Sequence, residues 1–161
     1  MKNLDAVIFL DIDGVLVNTF PVWKSDELDG DGYSKFNEAN LKNLIELLEY
    51  NPSIRLIISS SRRFGKSIED LETIFSYRGI VGKIAGKTPD SMDNPKSRGH
   101  EIKDFVVSNQ VKNLLVLDDD LSVLDFEEIK DFVVKTEYRT GFDSSKLKEA
   151  KRIVQAWAIA G

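Results

Sequence analysis

Short runs of apolar residues, each ended by polar or acidic residues, are the feature that most constrains how this chain can fold. The first run occupies residues 6–10 and stops at Asp11 and Gly14. Comparable runs lie at residues 54–58, 114–117 and 132–134, with a weaker candidate at 80–84. A continuous apolar run of this length, bounded by turn residues, is typical of a strand that is buried on both faces of a sheet.

Between these runs, apolar residues recur at helical spacing. The segments with this pattern are 40–48, 67–77, 99–108 and 144–158. Ser67 is placed to cap the second segment, and Ser144 or Ser145 the fourth. Strands that alternate with helices favour a mostly parallel sheet, because parallel strands need a helical crossover. We therefore expect a three-layer, Rossmann-like α/β fold with helices on both faces of the sheet.

The length and composition fit one globular domain and exclude several kinds of site. A chain of 161 residues lies within the usual size of one domain, so we expect residues 1–161 to form a single domain. The lack of cysteine excludes thiol catalysis, and a single histidine, His100, excludes a multi-histidine zinc site. A net charge of -5 argues against non-specific coating of DNA. The first apolar run is too short for a signal peptide or a membrane span, so we expect a soluble, cytoplasmic protein without a membrane partner.

Polar residues follow three of the predicted strands. These residues are Asp11, Asp13, Ser59, Ser60, Asp118 and Asp119. Ligands of open α/β sheets bind outside the carboxyl ends of the strands, so we expect these side chains to converge. Carboxylates held close together repel one another unless a cation lies among them. An all-oxygen set of ligands suits a hard cation, most simply Mg²⁺.

The other polar groups suit a phosphorylated substrate. The hydroxyls of Ser59 and Ser60 can donate hydrogen bonds to phosphoryl oxygens. A cation before the third predicted helix, Arg98 or Lys96, can offset the remaining negative charge. Together with the carboxylates, these are the parts needed to transfer a phosphoryl group to a carboxylate.

Four segments in this order resemble the motifs of the haloacid dehalogenase (HAD) superfamily of phosphohydrolases. They are residues 11–16, residues 57–60, Arg98 at a helix start, and residues 114–119. In finer detail the chain is similar to the HAD domains associated with RNA-repair proteins, and the phosphatase half of polynucleotide kinase-phosphatases has a related layout. The segments that carry this finer similarity are residues 36–37, 59–63, 86–89, 98–102 and 117–120. The resemblance covers most of the chain and implies a HAD-like fold.

The resemblance implies a catalytic role for four residues. Asp11 is expected to attack phosphorus and form an aspartyl-phosphate. Asp13 is expected to protonate the leaving group and then to activate water. Ser59 is expected to hold the transferring phosphoryl group, and Arg98 to neutralise charge on the phosphorylated intermediate. Because the third motif of the family usually has Lys next to Pro, Lys96 competes with Arg98 for that role.

The resemblance also implies a metal site and a substrate site. The expected Mg²⁺ ligands are Asp11, Asp118, Asp119 and a backbone carbonyl at Ile12 or Asp13, of which the Asp13 carbonyl is the usual one in the family. The residues predicted to bind substrate are Ser60, Arg62 and Gly14. Arg62 and Arg63 together are candidates to bind a second phosphate of a nucleic-acid end, but a solvated basic pair is slightly favoured for the two.

The segment between the first two motifs is short, and residues 17–36 are expected to form a loop at the position of a cap domain. A nearly capless member of the family is expected to have an open site that admits a bulky substrate, such as a nucleic-acid end or a phosphoprotein. We therefore predict a Mg²⁺-dependent phosphomonoester hydrolase that acts through an aspartyl-phosphate, with a phosphorylated substrate such as a polynucleotide end. The alternatives are a small-molecule or nucleotide phosphatase and a non-catalytic HAD domain that binds phosphate or a partner protein. The motif order disfavours a receiver domain, in which the acidic pair precedes the acceptor Asp.

Residues 27–38 place acidic side chains at EF-hand spacing. The first position of an EF-hand loop is normally Asp, but here it is Glu27, and the eighth position is normally aliphatic, but here it is Ser34. An acidic loop is therefore favoured over a calcium site. Asp120 is interpreted as the cap of a short helix that runs through Leu124.

Three aromatic residues near the same loop have two interpretations. Trp23, Tyr33 and Phe36 are expected to pack over the core, with stacking on a nucleobase as the alternative. His100 is expected to be structural or exposed, because a base there is redundant beside Asp13.

Overall fold

The computed structural model describes residues 4–90 and 95–160. The strands are β1 (Val7–Leu10), β2 (Arg55–Ile58), β3 (Ile84–Lys87), β4 (Leu114–Asp118) and β5 (Val133–Lys135). The α-helices are α1 (Glu38–Tyr50), α2 (Ile68–Tyr77), α3 (Arg98–Ser108) and α4 (Ser144–Ala160). Short 3-10 helices occupy Ser61–Arg63, Leu121–Leu124 and Lys130–Phe132. The strands pair in parallel in the order β3-β2-β1-β4-β5.

Helices cover both faces of this sheet. On one face α1, α2 and α4 place Leu44, Phe75 and Val154 in a core that includes Ile8 and Leu117 from the strands. On the other face α3 packs beside the short helix at 121–124 and against the opposite side of the same strands. The central strands are therefore buried on both faces, as their continuous apolar runs predict. The three-layer, Rossmann-like α/β fold predicted from the sequence is confirmed.

Capping side chains explain where two helices begin. Ser67 and Asp70 form a reciprocal capping box at the start of α2, which confirms Ser67 as its cap. At α4 the cap is Asp143, whose Oδ1 accepts the N–H of the third helical residue at 3.1 Å. The expectation that Ser144 or Ser145 caps α4 was wrong, because the carboxylate just before them supplies the acceptor.

Among the residues described, no helix is both long and apolar enough to cross a membrane.

The strand predicted at residues 80–84 was misplaced, since β3 is Ile84–Lys87. Gly79 and Gly82 adopt φ angles of +91° and +72°, so the chain turns there instead of extending. Ile80 is nevertheless buried in the core. Its apolar character therefore reflects packing of a turn and not membership of a strand.

The acidic segment predicted to resemble a calcium loop is held by an arginine. Arg78 forms two charge-assisted hydrogen bonds with Asp31, at 2.7 and 2.9 Å, and an ion pair with Asp29 at 3.1 Å. These hydrogen bonds from Arg78 hold the pKa of Asp31 below its ordinary value. The guanidinium thus pairs with two of the acidic side chains that an EF-hand would use as calcium ligands, which supports the interpretation as an acidic loop.

The aromatic residues of the same region have different environments. Tyr33 and Phe36 pack against the core, as predicted. Trp23, in contrast, is 82% exposed, so the expectation that it packs over the core was wrong. Residues 17–36 contain no helix and no named strand, and within them Leu28 and Ser34 form an isolated antiparallel bridge.

Candidate active site

The register of three strands brings Asp11, Ser59 and Asp118 to the same edge of the sheet. Leu10, the last residue of β1, pairs with Ile58 on one side and with Leu117 on the other. The ladder continues through the N–H of Asp11, which donates to the Leu117 carbonyl at 3.0 Å. Because the chain proceeds from β1 to β2 on one side and returns to β4 on the other, this edge is the switch point at which α/β sheets bind ligands.

Three carboxylates meet at this edge. One oxygen from each of Asp11, Asp118 and Asp119 lies within 4.8 Å of the others. Asp11 and Asp118 are buried, and Asp119 is half-buried. Burial, together with the charge of Asp118, raises the pKa of Asp11 to about 9, and burial also raises the pKa values of Asp118 and Asp119. Such a cluster of hard oxygen ligands fits a divalent cation, which offsets the repulsion among them.

Arg98, the first residue of α3, is the cation that reaches the carboxylates. Its Nη1 lies 3.2 Å from Asp11 Oδ1 and 2.9 Å from Asp118 Oδ2. Lys96 instead pairs with Asp104 at 2.8 Å. His100 also faces Asp104, at 3.5 Å, so neither Lys96 nor His100 contacts the cluster. The geometry favours Arg98 over Lys96 as the cation of the site.

Close packing fixes the start of α3 against the turn that follows β4. A Cβ at Gly99 would collide with the backbone carbonyl of Ser122. The Gly99 N–H donates to Ser122 Oγ at 2.9 Å. Asp120 in turn accepts the N–H of Ser122 at 2.8 Å and caps the helix Leu121–Leu124, as predicted. The position of Arg98 is therefore tied to the strand that carries Asp118.

Ser59 and Ser60 have different roles in the structure. Ser59 is fully buried, and among the described residues its Oγ has no hydrogen-bond partner. Ser60 Oγ accepts the N–H of Arg62 at 3.2 Å and caps the helix Ser61–Arg63. Buried hydroxyls are normally satisfied, so the Ser59 hydroxyl beside Asp11 is a candidate ligand for a phosphoryl oxygen.

Arg63 is a buried arginine that organises this strand end. Its side chain is 1% exposed and pairs with Glu101 at 2.8 Å. Its other guanidinium N–H groups donate to the backbone carbonyls of Ser59, Ser60, Thr88 and Pro89. Neither a solvated basic pair nor a phosphate contact describes Arg63. The chain offers no local pattern for this role, because Glu101 lies 38 positions away.

Asp13, the predicted acid and base, is paired with Arg62. Nε of Arg62 lies 2.8 Å from Asp13 Oδ2, and Nη2 lies 2.8 Å from Oδ1. Asp26 and Ser34, which sequence patterns did not identify, complete the surroundings of Arg62 at 2.9 and 3.0 Å. The side chain of Asp13 is 43% exposed, so a substrate can reach it from solvent.

Gly14 makes room for the carboxylate of Asp119. Its φ is +81°, and a Cβ at this position would collide with the Asp119 side chain. Its N–H donates to the Val17 carbonyl at 2.8 Å, and its carbonyl accepts from Thr136 Oγ1 at 2.6 Å. Both polar groups of Gly14 are thus paired within the protein, and the structure shows no role for Gly14 in binding substrate beyond the room that it leaves for Asp119.

A search of curated proteins found no match to this chain. A family model described as the HAD domain in Swiss Army Knife RNA repair proteins matches residues 7–147. The matched segment runs from β1 into α4 and includes all the strand ends that form the site. The sequence resemblance to this superfamily is thereby confirmed, and the chain belongs to the family of HAD domains found in Swiss Army Knife RNA repair proteins.

Proposed function

We propose that this protein is a Mg²⁺-dependent phosphomonoester hydrolase that works through an aspartyl-phosphate on Asp11. Membership of a HAD domain family makes a HAD-type phosphohydrolase the coarse assignment. The observation that carries the finer proposal is the grouping of Asp11 with two further carboxylates, one guanidinium and the buried hydroxyl of Ser59, which has no hydrogen-bond partner among the residues that the structure describes. Each of these groups has a function in phosphoryl transfer to a carboxylate.

In the first step, Asp11 attacks the phosphorus of the monoester. The Asp11 carboxylate is oriented by the N–H of Ile12, which donates to Oδ1 at 2.8 Å, and by Arg98 at 3.2 Å. A bond forms between a carboxylate oxygen and phosphorus, and the bond to the ester oxygen breaks. Asp13 gives its proton to the departing oxygen. The Ser59 hydroxyl donates to a phosphoryl oxygen during the transfer.

In the second step, water replaces Asp11 on phosphorus. Asp13 takes a proton from the attacking water, the bond between phosphorus and the Asp11 oxygen breaks, and inorganic phosphate leaves. Asp11 returns as a carboxylate and Asp13 in its protonated form, so the cycle closes. Arg98, held between Asp11 and Asp118, offsets the negative charge of the phosphorylated site.

Asp11, Asp118 and Asp119 would hold the cation, with a backbone carbonyl at Ile12 or Asp13 as a further ligand. Their oxygens are close enough to share one ion, and burial leaves them costly to ionise without one. Bound there, Mg²⁺ polarises phosphoryl oxygens and neutralises charge that develops in phosphoryl transfer.

For the substrate we propose a phosphorylated nucleic-acid end. The loop at 17–36 contains no helix and no named strand, and the Asp13 side chain is 43% exposed, so a bulky substrate can reach Asp13. Trp23 in this loop is exposed, and Arg139 stacks over the ring of the neighbouring exposed Phe20 at 4.0 Å from its centroid. Exposed aromatic rings and arginine planes are groups on which unpaired bases stack. The family description, which refers to RNA repair proteins, supports the same substrate class.

The test is the release of inorganic phosphate by the wild type and by Asp11→Asn, with and without Mg²⁺. The substrates are p-nitrophenyl phosphate, nucleotides, and oligonucleotides with a 3'- or a 5'-phosphate. Metal-dependent turnover that disappears in Asp11→Asn supports the aspartyl-phosphate route, and the preferred substrate decides between a polynucleotide and a small molecule. Absence of turnover on every substrate, with Mg²⁺ bound, overturns the proposal in favour of a domain that binds phosphate or a partner without catalysis.

A further inference from the structure

Arg62 is the centre of a closed hydrogen-bond network that joins the first two motifs to the loop between β1 and α1. Its Nε and Nη2 donate to the two oxygens of Asp13, each at 2.8 Å. Nη2 also donates to Asp26 Oδ2 at 2.9 Å, and Nη1 donates to Ser34 Oγ at 3.0 Å. Ser34 Oγ in turn donates to Asp26 Oδ2 at 2.7 Å, which closes the ring of contacts.

This geometry fixes the Asp13 carboxylate in two respects. Two parallel hydrogen bonds from a planar guanidinium fix both the direction and the rotation of the carboxylate plane. The guanidinium itself is immobilised on its far side by Asp26 and Ser34, and the ring of Tyr33 lies against it, 5.4 Å from ring centroid to Cζ. Residues of the loop thus determine where a side chain of the first motif points.

The same contacts argue against a phosphate site at Arg62. All three nitrogens of its guanidinium already donate to protein acceptors. Asp13 and Asp26 flank the single positive charge of Arg62, so little of that charge is left to attract a phosphate. Arg98, which contacts the nucleophile, is better placed for that task.

We propose that Arg62 is a positioning residue for Asp13, and that Asp26 and Ser34 hold Arg62 in place for it. The inference rests on the proposed function, in which Asp13 gives a proton to the leaving oxygen as the bond to phosphorus breaks. A displaced Asp13 slows this proton transfer but leaves phosphoryl binding at Arg98 and Ser59 intact.

The test uses the leaving group as the variable. A nitrophenolate leaves without a proton, whereas an alkoxide or a nucleoside oxygen needs one, so only poor leaving groups depend on the position of Asp13. The experiment measures kcat/KM for a series of phosphomonoesters of increasing leaving-group pKa, in the wild type, Arg62→Gln, Arg62→Lys and Asp26→Asn. Arg55→Gln, a substitution at the opposite end of β2, is the control.

We expect Arg62→Gln to lower kcat/KM by about 10- to 100-fold for alkyl phosphates and by less than about threefold for p-nitrophenyl phosphate. In a plot of log kcat/KM against leaving-group pKa, Arg62→Gln therefore makes the slope steeper. Asp26→Asn changes this slope in the same direction by a smaller amount, which provides a second test if Arg62→Gln fails to fold. Adding Arg62→Gln to Asp13→Asn causes little further loss, because the two residues act as one unit.

The outcomes separate this inference from the function on which it rests. If Arg62→Gln lowers kcat/KM equally for all leaving groups and weakens inhibition by inorganic phosphate, Arg62 binds the substrate phosphate and the inference is wrong. An unchanged slope in both Arg62→Gln and Asp26→Asn also overturns it, while normal wild-type turnover preserves the phosphatase. Absence of wild-type turnover overturns the phosphatase proposal, and the inference with it.

Discussion

Buried Arg63 donates a hydrogen bond from Nη1 to the backbone carbonyl of Ser59, at 3.1 Å. The residue that carries the candidate phosphoryl ligand is thus anchored from inside the protein, and the same guanidinium also pairs with Glu101 on α3. Arg98, the cation of the site, is the first residue of α3. Arg63 therefore couples the end of β2 to the helix that carries Arg98.

Replacing Arg63 is expected to reduce both stability and activity. Arg63→Met removes the buried guanidinium that pairs with Glu101 at 2.8 Å. Breaking a buried ion pair by removing one of its members costs about 3 to 5 kcal/mol. Arg63→Lys keeps the charge but cannot supply the five N–H donors of a guanidinium, so it is also destabilising. Urea unfolding measures the free energy, and kcat/KM measures the site. Arg55→Lys, at the partly exposed start of β2, is the control and should stay within about 0.5 kcal/mol of the wild type.

Gly99→Ala is expected to displace Arg98. The new methyl group collides with the Ser122 carbonyl, so the first turn of α3 has to move away from the turn after β4. We expect kcat/KM to fall by about tenfold or more, since a displacement near 1 Å can cost about 100-fold. Gly86→Ala is the matched control, because its Cβ would meet only the flexible end of Ile57, at 3.4 Å. Equal losses in the two variants would show that the crowding at Ser122 has no special effect.

The strand ends of the site were predictable because their positions follow from the fold class. Once the apolar runs are assigned to parallel strands, Asp11, Ser59 and Asp118 must meet at one edge. Asp26 and Ser34 were not predictable, because their roles depend on contacts with Arg62 across 36 and 28 positions of chain. A polar residue in a loop has the same local pattern whether it is solvated or paired.

The short third strand was misplaced for a related reason. Local hydrophobicity identifies residues that are buried, and Ile80 is buried, but it does not distinguish a packed turn from a strand. The positive φ angles at Gly79 and Gly82 are what divert the chain, and they became visible only in three dimensions. Trp23 illustrates the converse case, since nothing in the sequence separates an exposed tryptophan from a core one.

Added Mg²⁺ is expected to stabilise the protein more at high pH than at low pH. Without a cation, the raised pKa values of Asp11, Asp118 and Asp119 mean that the folded protein keeps protons that the unfolded chain loses above about pH 4. The free energy of unfolding therefore falls as the pH rises from about 4 towards 9. A bound cation favours the ionised carboxylates and opposes this fall. The measurement is the change in Tm between EDTA and Mg²⁺, at about pH 5 and at about pH 8. If Mg²⁺ raised the Tm of Asp119→Asn as much as that of the wild type, the assignment of Asp119 as a metal ligand would be wrong.

Asp11→Asn is expected to raise stability while it abolishes turnover. The amide keeps an acceptor for the Ile12 N–H but removes one of three crowded carboxylates, so in EDTA near pH 7 the Tm should rise by several degrees. Functional sites often carry groups that lower stability in this way. Ser59→Ala provides the comparison, because it lowers activity without removing a charge. A Tm of Asp11→Asn below that of the wild type would show that repulsion among the three carboxylates does not destabilise the folded protein.

Trp23→Ala is expected to impair the use of phosphorylated oligonucleotides much more than the use of p-nitrophenyl phosphate. Trp23 is 82% exposed and lies three residues before Asp26, in the loop that holds Arg62. Stacking of one base on an aromatic ring contributes about 1 to 3 kcal/mol, so we expect the ratio of kcat/KM for an oligonucleotide to kcat/KM for p-nitrophenyl phosphate to fall by at least about fivefold. Val22→Ala is the matched control, because Val22 is also exposed but has no ring on which a base can stack. Trp23→Phe should recover part of the ratio, since a smaller ring still stacks. If the ratio stays constant in Trp23→Ala, the loop does not recognise bases, and a small phosphorylated molecule becomes the better candidate for the substrate.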